Sequence, residues 1–169
     1  VRSDTMKQSG LFIDTKNGYI DRFRGRIMFS IFNSGGKVSA FAGRVFQSDD
    51  PAKYINSPET PIYNKSKILY GIFYAKQDIA KLDNCFIVEG YTDVIQLHQK
   101  GIKNVVSSSG TALTLDQITL IRRLTSNVTM LFDGDKAGVN ATLRGIDIIL
   151  TAGLNVNAVS YTHLTMTTN

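Results

Sequence analysis

The chain has 169 residues, 43% hydrophobic and 20% charged, with three prolines and a net charge of +5; it is long enough for one ordinary domain or two small ones, and its composition excludes disorder. Its longest apolar runs fall far short of the roughly 20 residues that span a bilayer, so no membrane partner is expected. A single cysteine excludes an internal disulfide, and one Cys with two distant His excludes a zinc site, so a cytoplasmic setting is expected.

The chain opens on Val1 with no charged-then-apolar leader, so no signal peptide is expected and the sequence reads as a piece of something longer. Residues 1 to 80 hold twelve Lys or Arg against seven Asp or Glu, whereas residues 81 to 169 hold seven of each. A basic front joined to a neutral half with clustered acids points to a polyanion held by one part and metal ions by the other. A merely solvated basic surface is the alternative reading of charge alone.

Asn17-Gly18 predicts a tight turn between two short strands. Ile27 to Phe32, the turn Asn33-Ser34-Gly35-Gly36, and Val38 to Val45 predict an antiparallel hairpin. Arg22, Arg24 and Arg26 alternate and would share one face of an extended segment, with Arg44 on the returning strand; ordinary exposed arginines fit equally well. From Ser48 to Lys67 the pattern is irregular and holds all three prolines. There Lys53, Lys65 and Lys67 mix with Tyr54 and Tyr63, a combination suited to phosphates and stacked bases. Ile68 to Gln77 predicts a helix packed by its aromatic face, and the polar break Lys81 to Asn84 predicts a domain boundary.

Beyond it, strands and helices alternate. Cys85 to Val88 predicts a strand, followed by a helix to about Lys100 that stops at Gly101. Asn104 to Ser107 predicts a second strand, and Thr114 with Gln117 fits a capping box for a helix buried along Ile118, Ile121 and Leu124. Val128 to Phe132 leads through Asp133-Gly134-Asp135 into a helix from about Ala137 to Thr151, and Val156 to Ser160 predicts a fourth strand. The alternation predicts a parallel sheet with the loops carrying Glu89, Ser109 and Asp133 on one edge.

Glu89 and Asp93 are four apart and are expected to stack at a helix start, where a bound cation would offset their repulsion. Asp133 and Asp135 can face one ion if Gly134 lets the backbone curl. Carboxylates without His or Cys suit Mg²⁺ or Mn²⁺, which serve phosphoryl transfer. A plain turn also explains D-G-D. Ser109, Gly110 and Thr111 form either a candidate phosphate loop or an ordinary strand-to-helix connection. Cys85 is read as core, and neither His98 nor His163 is assigned a role.

V-E-G-Y-T-D-V (88 to 94), S-S-S-G-T-A-L-T (107 to 114) and L-F-D-G-D-K-A-G (131 to 138) resemble the toprim domain of bacterial DnaG-type primases. D-R-F-R-G-R-I-M-F (21 to 29), F-A-G-R (41 to 44), K-Y-I-N-S-P-E-T (53 to 60) and Y-N-K-S-K-I-L-Y-G (63 to 71) resemble the basic subdomain that precedes toprim in those enzymes. The similarity runs in the right order over residues 10 to 158. It implies an α/β fold: a toprim-type parallel sheet flanked by helices, preceded by a smaller basic α+β subdomain with an antiparallel hairpin. The expected division is residues 1–82 for the basic part of the polymerase core, 83–159 for toprim, and 160–169 for a tail that departs from the family.

The resemblance implies a DNA-directed RNA polymerase that makes short RNA primers for replication in the bacterial cytoplasm, at the nucleoid. Single-stranded DNA template, RNA primer and rNTPs are the implied partners, with a replicative helicase reached through a C-terminal region absent here. By motif, Glu89 matches the general base or metal ligand, and Asp93, Asp133 and Asp135 match metal-site acids for Mg²⁺ or Mn²⁺. Arg44, Lys53, Tyr54 and Lys65 match nucleotide- and nucleic-acid-binding positions, and Arg22, Arg24 and Arg26 join that groove. The family's zinc-binding domain is missing, and residues 160–169 carry no acid where the family has further metal ligands. That tail reads as foreign sequence or a read error. The alternatives are a toprim nuclease or topoisomerase, and an inactive nucleic-acid-binding fragment; a receiver domain has no place for the basic subdomain.

Overall fold

The computed structural model describes residues 3–46, 51–110, 112–133 and 136–161. The chain divides into two compact units, Val1–Lys65 and Ser66–Asn169.

The first unit opens on a helix, α1 (Ser3–Ser9), that the sequence pattern does not announce. β1 (Phe12–Thr15) and β2 (Gly18–Asp21) then form the expected hairpin, with Lys16-Asn17 as its two-residue turn and Gly18 already paired to Thr15. Residues 22–25 are a turn rather than an extended segment, so alternation does not align Arg22, Arg24 and Arg26 on one face. Asp21 explains the difference, because its carboxylate accepts the Phe23 N–H at 2.8 Å and bends the backbone.

β3 (Arg26–Phe32) and β4 (Val38–Val45) pair antiparallel as expected. A third strand, β5 (Tyr54–Asn56), emerges from the proline-containing stretch and pairs with β4. Where β5 ends, Ser57 Oγ accepts the Phe41 N–H at 3.0 Å. The chain then turns at Thr60–Tyr63. Phe29, Ile31, Ala40 and Ala42 form the core of this sheet, and Tyr63 is only 3% exposed. Tyr63 is therefore packed rather than offered for stacking.

In the second unit the chain runs extended through Tyr70, which bridges to Ser107, before α2 (Ile72–Leu82) begins. The helix starts four residues later than its apolar run because Gly71 adopts a left-handed conformation, φ 86°. Its buried face is aliphatic, Ile72, Ala75 and Ile79, while Tyr74 is 55% exposed, so the expected aromatic packing face is not the one used.

β6 (Cys85–Val88), α3 (Tyr91–Gln99), β7 (Val105–Ser107), α4 (Leu115–Arg122), β8 (Asn127–Asp133), α5 (Lys136–Thr151) and β9 (Asn155–Tyr161) follow. The strands form the expected parallel sheet, and their order is β7-β6-β8-β9. Alternation sorts their side chains to two faces. Cys85, Ile87, Val106, Val128 and Met130 pack with α2, α4 and α5, whereas Val88 and Val105 pack with Val94 of α3. The predicted capping box forms: Thr114 Oγ1 accepts the Gln117 N–H at 3.2 Å, and Gln117 Oε1 accepts the Thr114 N–H at 3.1 Å. Ser160 and Tyr161 continue β9 opposite Phe132 and Asp133, and residues 162–169 lie outside the described residues.

Two glycines permit close packing by different means. A Cβ at Gly71 would lie 3.0 Å from Val94 Cγ1 and 3.1 Å from the Val105 carbonyl oxygen, on a backbone that L residues avoid. At Gly145 it would meet Met130 Cε at 2.7 Å, the movable end of a flexible side chain. We predict that Gly71→Ala lowers unfolding free energy by about 1–3 kcal/mol. Gly145→Ala stays within about 1 kcal/mol of the parent, since helix propensity offsets the Met130 shift. Urea unfolding midpoints of the two variants check the contrast.

Candidate active site and nucleic-acid interface

The chain goes from β6 to β7 on one side of the sheet and returns to β8 on the other, so its direction reverses between β6 and β8. Ligands of open α/β sheets bind outside the carboxyl ends of the strands at such a reversal. Ile87 pairs with Met130, which sets Glu89 two residues beyond that pair on one strand and Asp133 three residues beyond it on the other. Both acids therefore leave the sheet at one edge. Glu89 lies on the exposed turn after β6, outside α3, whose N-cap is Gly90. Glu89 and Asp93 therefore do not share the helix that the expected stacking requires. Instead Asp93 Oδ2 accepts the Gly90 N–H at 2.9 Å and braces the turn. Asp135 lies outside the described residues, and among the described residues no three His, Cys, Asp or Glu side chains form a metal-holding group.

The loop after β7 is tied to this turn. Fully buried Ser107 donates its hydroxyl to the Glu89 carbonyl at 2.8 Å and accepts the Ser109 N–H at 2.8 Å. Ser109 (φ 62°) and Gly110 (φ 75°) are both left-handed, so the loop curls back immediately. Thr111 lies outside the described residues. A cleft of about 290 Å³ opens beside the loop, with Glu89, Ser108, Thr142 and Arg144 among its polar lining, Gly110 at its edge, and Leu113 and Met130 among its apolar walls. Sequence pattern did not single out Arg144, because a lone arginine on an amphipathic helix is indistinguishable from a solvated one.

In the first unit, Arg44 and Tyr54 are cross-strand partners, and the guanidinium lies 5.5 Å from the ring centroid, a cation–π pair. Lys53 adjoins Tyr54 and is exposed. Arg26 pairs with Val45 while Ile27 pairs with Arg44, so Arg26 and Arg44 point to opposite faces of the sheet. Arg26 Nη1 donates to the Ala52 carbonyl at 2.8 Å. Arg24 is exposed on its turn, and Arg22 Nε is buried with no hydrogen-bond partner among the described residues. The Lys65 N–H donates to Glu59 Oε1 at 2.9 Å.

Cys85 is fully buried, and that burial pushes its thiol well above the ordinary range, as a core residue requires. His98 lies on α3, and His163 falls outside the described residues. Burial, then the neighbouring Tyr74, raises the Tyr70 hydroxyl.

A parallel sheet with acids at its reversal point, preceded by a smaller antiparallel sheet in a basic first unit, defines a toprim-type α/β core. Residues 1–76 match the family model of the DNA primase catalytic core, N-terminal domain, and residues 83–160 match the toprim domain model. The DNA primase of Staphylococcus aureus (strain COL) is 49% identical over 138 residues, covering 82% of this chain and 23% of that protein. The DNA primase of Clostridium acetobutylicum is 48% identical over 153 residues, covering 90% of this chain and 25% of that protein. A DNA primase domain from Pseudomonas aeruginosa superposes with TM-score 0.87 at 40% identity, over 96% of this chain and 52% of that one. The DnaG primase catalytic domain bound to ssDNA gives 0.86 at 39% identity, over 96% and 51%. The chain belongs to the DnaG-type primase family and spans about a quarter of the length of these curated relatives. Among the described residues, no helix is long and apolar enough to cross a membrane.

Two outcomes follow from these contacts. Ser107→Ala unpairs the Glu89 carbonyl and the Ser109 N–H, and we expect a loss of about 1–3 kcal/mol, with faster amide exchange at Ser109 in hydrogen-exchange measurements. For Cys85, a thiol raised by folding stays protonated in the native state while the unfolded thiol ionises. Its stabilising contribution is full below its ordinary value near 9 and is lost as pH rises above it. The alkaline decline in unfolding free energy should therefore be shallower in Cys85→Ala, by up to about 1.4 kcal/mol per pH unit, when urea titrations are repeated from neutral to alkaline pH.

Proposed function

We propose that the chain is part of the catalytic core of a replicative primase, joining ribonucleotides into a primer on single-stranded DNA. The observation that supports this reading is that Glu89 follows β6 and Asp133 ends β8, the neighbouring strands at the reversal point of the parallel sheet, and that Glu89 and Arg144 line the same cleft. In this reading residues 1–82 form the basic part of the core, residues 83–159 form the toprim domain, and residues 160–169 depart from the family.

The donor set fits a hard cation, since Glu89, Asp93, Asp133 and Asp135 offer only carboxylate oxygens. Glu89 and Asp133 would hold Mg²⁺ or Mn²⁺ with Asp135, and Asp93, with Oδ2 on the Gly90 N–H, has Oδ1 left to join them. Such an ion neutralises charge on the transferring phosphoryl group. Glu89 accepts the proton of the attacking hydroxyl, and the turn fixed by Asp93 and Ser107 keeps its carboxylate in reach. Ser109, Gly110 and Thr111 cradle phosphate oxygens, and Arg144, which lines the same cleft as Gly110, holds the same anion.

Arg44 and Lys53 contact the strand's phosphates, and Tyr54 stacks a base, with Arg22, Arg24, Arg26 and Lys65 extending the basic surface. The solved relative bound to single-stranded DNA supports this partner. RNA primer and rNTPs follow from the reaction, the replicative helicase from the family's C-terminal region, and the bacterial nucleoid from the template.

Incubation with single-stranded template, rNTPs and Mn²⁺ should yield labelled RNA, and Glu89→Gln should reduce it by about 10²–10⁴-fold. Cleavage of the template without RNA would assign the chain to the toprim nucleases. Mn²⁺ titration followed by electron paramagnetic resonance should show weaker binding in Asp133→Ala plus Asp135→Ala, and affinities equal to the parent would overturn the metal site.

A further inference from the structure

Residues 66–70 lie within the N-terminal family model, which runs to residue 76, yet they pack with the second unit. Three contacts hold them there. Thr114 Oγ1 donates to the Ser66 carbonyl at 2.6 Å, and Gln117 Nε2 donates to the Ile68 carbonyl at 2.9 Å. Tyr70 exchanges both main-chain hydrogen bonds with Ser107, at 2.9 and 3.0 Å.

The first two bonds come from side chains already engaged at the N-terminus of α4. A capping box needs only the threonine oxygen as acceptor and the glutamine oxygen as acceptor. Here the threonine O–H and the glutamine Nε2–H are used as well, and both reach outside the helix. Gln117 is fully buried. A buried amide is costly unless both ends are paired, so the Ile68 carbonyl is part of what lets Gln117 sit there. The clamped carbonyls belong to Ser66 and Ile68, the residues flanking Lys67. Lys67 itself is exposed, in the short 3₁₀ turn Lys65–Lys67.

We propose that Lys67 is a phosphate contact for single-stranded nucleic acid and that Thr114 and Gln117 are its positioning residues. The proposal rests on the primase reading above and adds three residues to it. Fixing the backbone on both sides of a lysine leaves less freedom to be lost on binding, which is how a pinned cation outperforms a loose one. The arrangement also makes the toprim unit a holder of nucleic acid and not only of metal.

The test is fluorescence anisotropy of a labelled single-stranded oligonucleotide titrated with the 169-residue chain across a range of salt. Removing one phosphate contact to a single strand should lower the slope of log K against log salt by about 0.7, which amounts to about fivefold in affinity at 0.1 M salt. Lys67→Ala should show that change, and Lys67→Arg should restore it. Thr114→Val should reproduce it with circular dichroism unchanged, and Thr114→Ser should recover the parent slope. Gln117→Leu should behave like Thr114→Val, and the threonine pair decides the matter if the leucine variant does not fold. Lys67→Ala added to Thr114→Val should cost nothing further, whereas additive losses would overturn the positioning role. A Lys67→Ala variant with the parent slope would overturn the contact alone. A parent chain that shows no salt-dependent binding would overturn the nucleic-acid reading and this proposal with it.

Discussion

The turn after β6 and the loop after β7 are joined by one buried hydroxyl. Ser107 Oγ gives its proton to the Glu89 carbonyl and takes the Ser109 N–H, so two connections that share no sequence become one rigid rim. Neither could hold its place alone, since a short loop at a sheet edge has few buried contacts of its own. Asp93 braces the same turn from the helix side through Gly90. The Glu89 carboxylate is therefore exposed while the backbone beneath it is fixed. In the proposed reaction, that combination would let the carboxylate meet substrate without the loop moving.

Charge is divided along the chain as the fold divides it. The N-terminal excess of cations falls on the first unit, mostly between its strands, and the exposed Arg44–Tyr54 pair on its antiparallel sheet combines a fixed charge with a flat apolar surface, both used by proteins that bind single strands. The acids fall at the carboxyl edge of a parallel sheet, where two neighbouring strands deliver them together. The boundary between these roles is not sharp. Segment 66–70 carries one cation, Lys67, and is held by the N-terminus of α4 within the second unit.

Period and punctuation made the second unit legible. Four apolar runs alternating with helical patterns, and Thr114 with Gln117 at capping-box spacing, specify a parallel sheet and the start of α4. Motif order did the same for Glu89 and Asp133, because strand ends in such a sheet share an edge. What could not be read were features set by single torsions or by remote partners. Gly71 delays α2 through its left-handed backbone, although the apolar pattern begins at Ile68. Asp21 bends the segment holding Arg22 and Arg24 with one side-chain bond, and an alternating pattern carries no trace of it. β5 is three residues long, too short for period to register, and exists because β4 offers it an edge. Arg144 enters the cleft only because α5 crosses that end of the sheet.

The two edges of the parallel sheet show how stability and chemistry are separated. At the amino edge, polar side chains satisfy one another. Asp83 accepts from Thr125 Oγ1 at 2.8 Å and Asn127 Nδ2 at 3.0 Å, Asn84 Oδ1 accepts from Thr129 Oγ1 at 3.1 Å, and Asn104 donates to the Asn84 carbonyl at 2.8 Å. Asn155 extends the lattice by donating to Asn127 Oδ1 at 2.9 Å. These bonds tie α2 and strands β6, β8 and β9 together. At the carboxyl edge a carboxylate, a hydroxyl and a guanidinium line a cleft, and the backbone beneath them is fixed by the Ser107 hydroxyl and the Asp93 carboxylate.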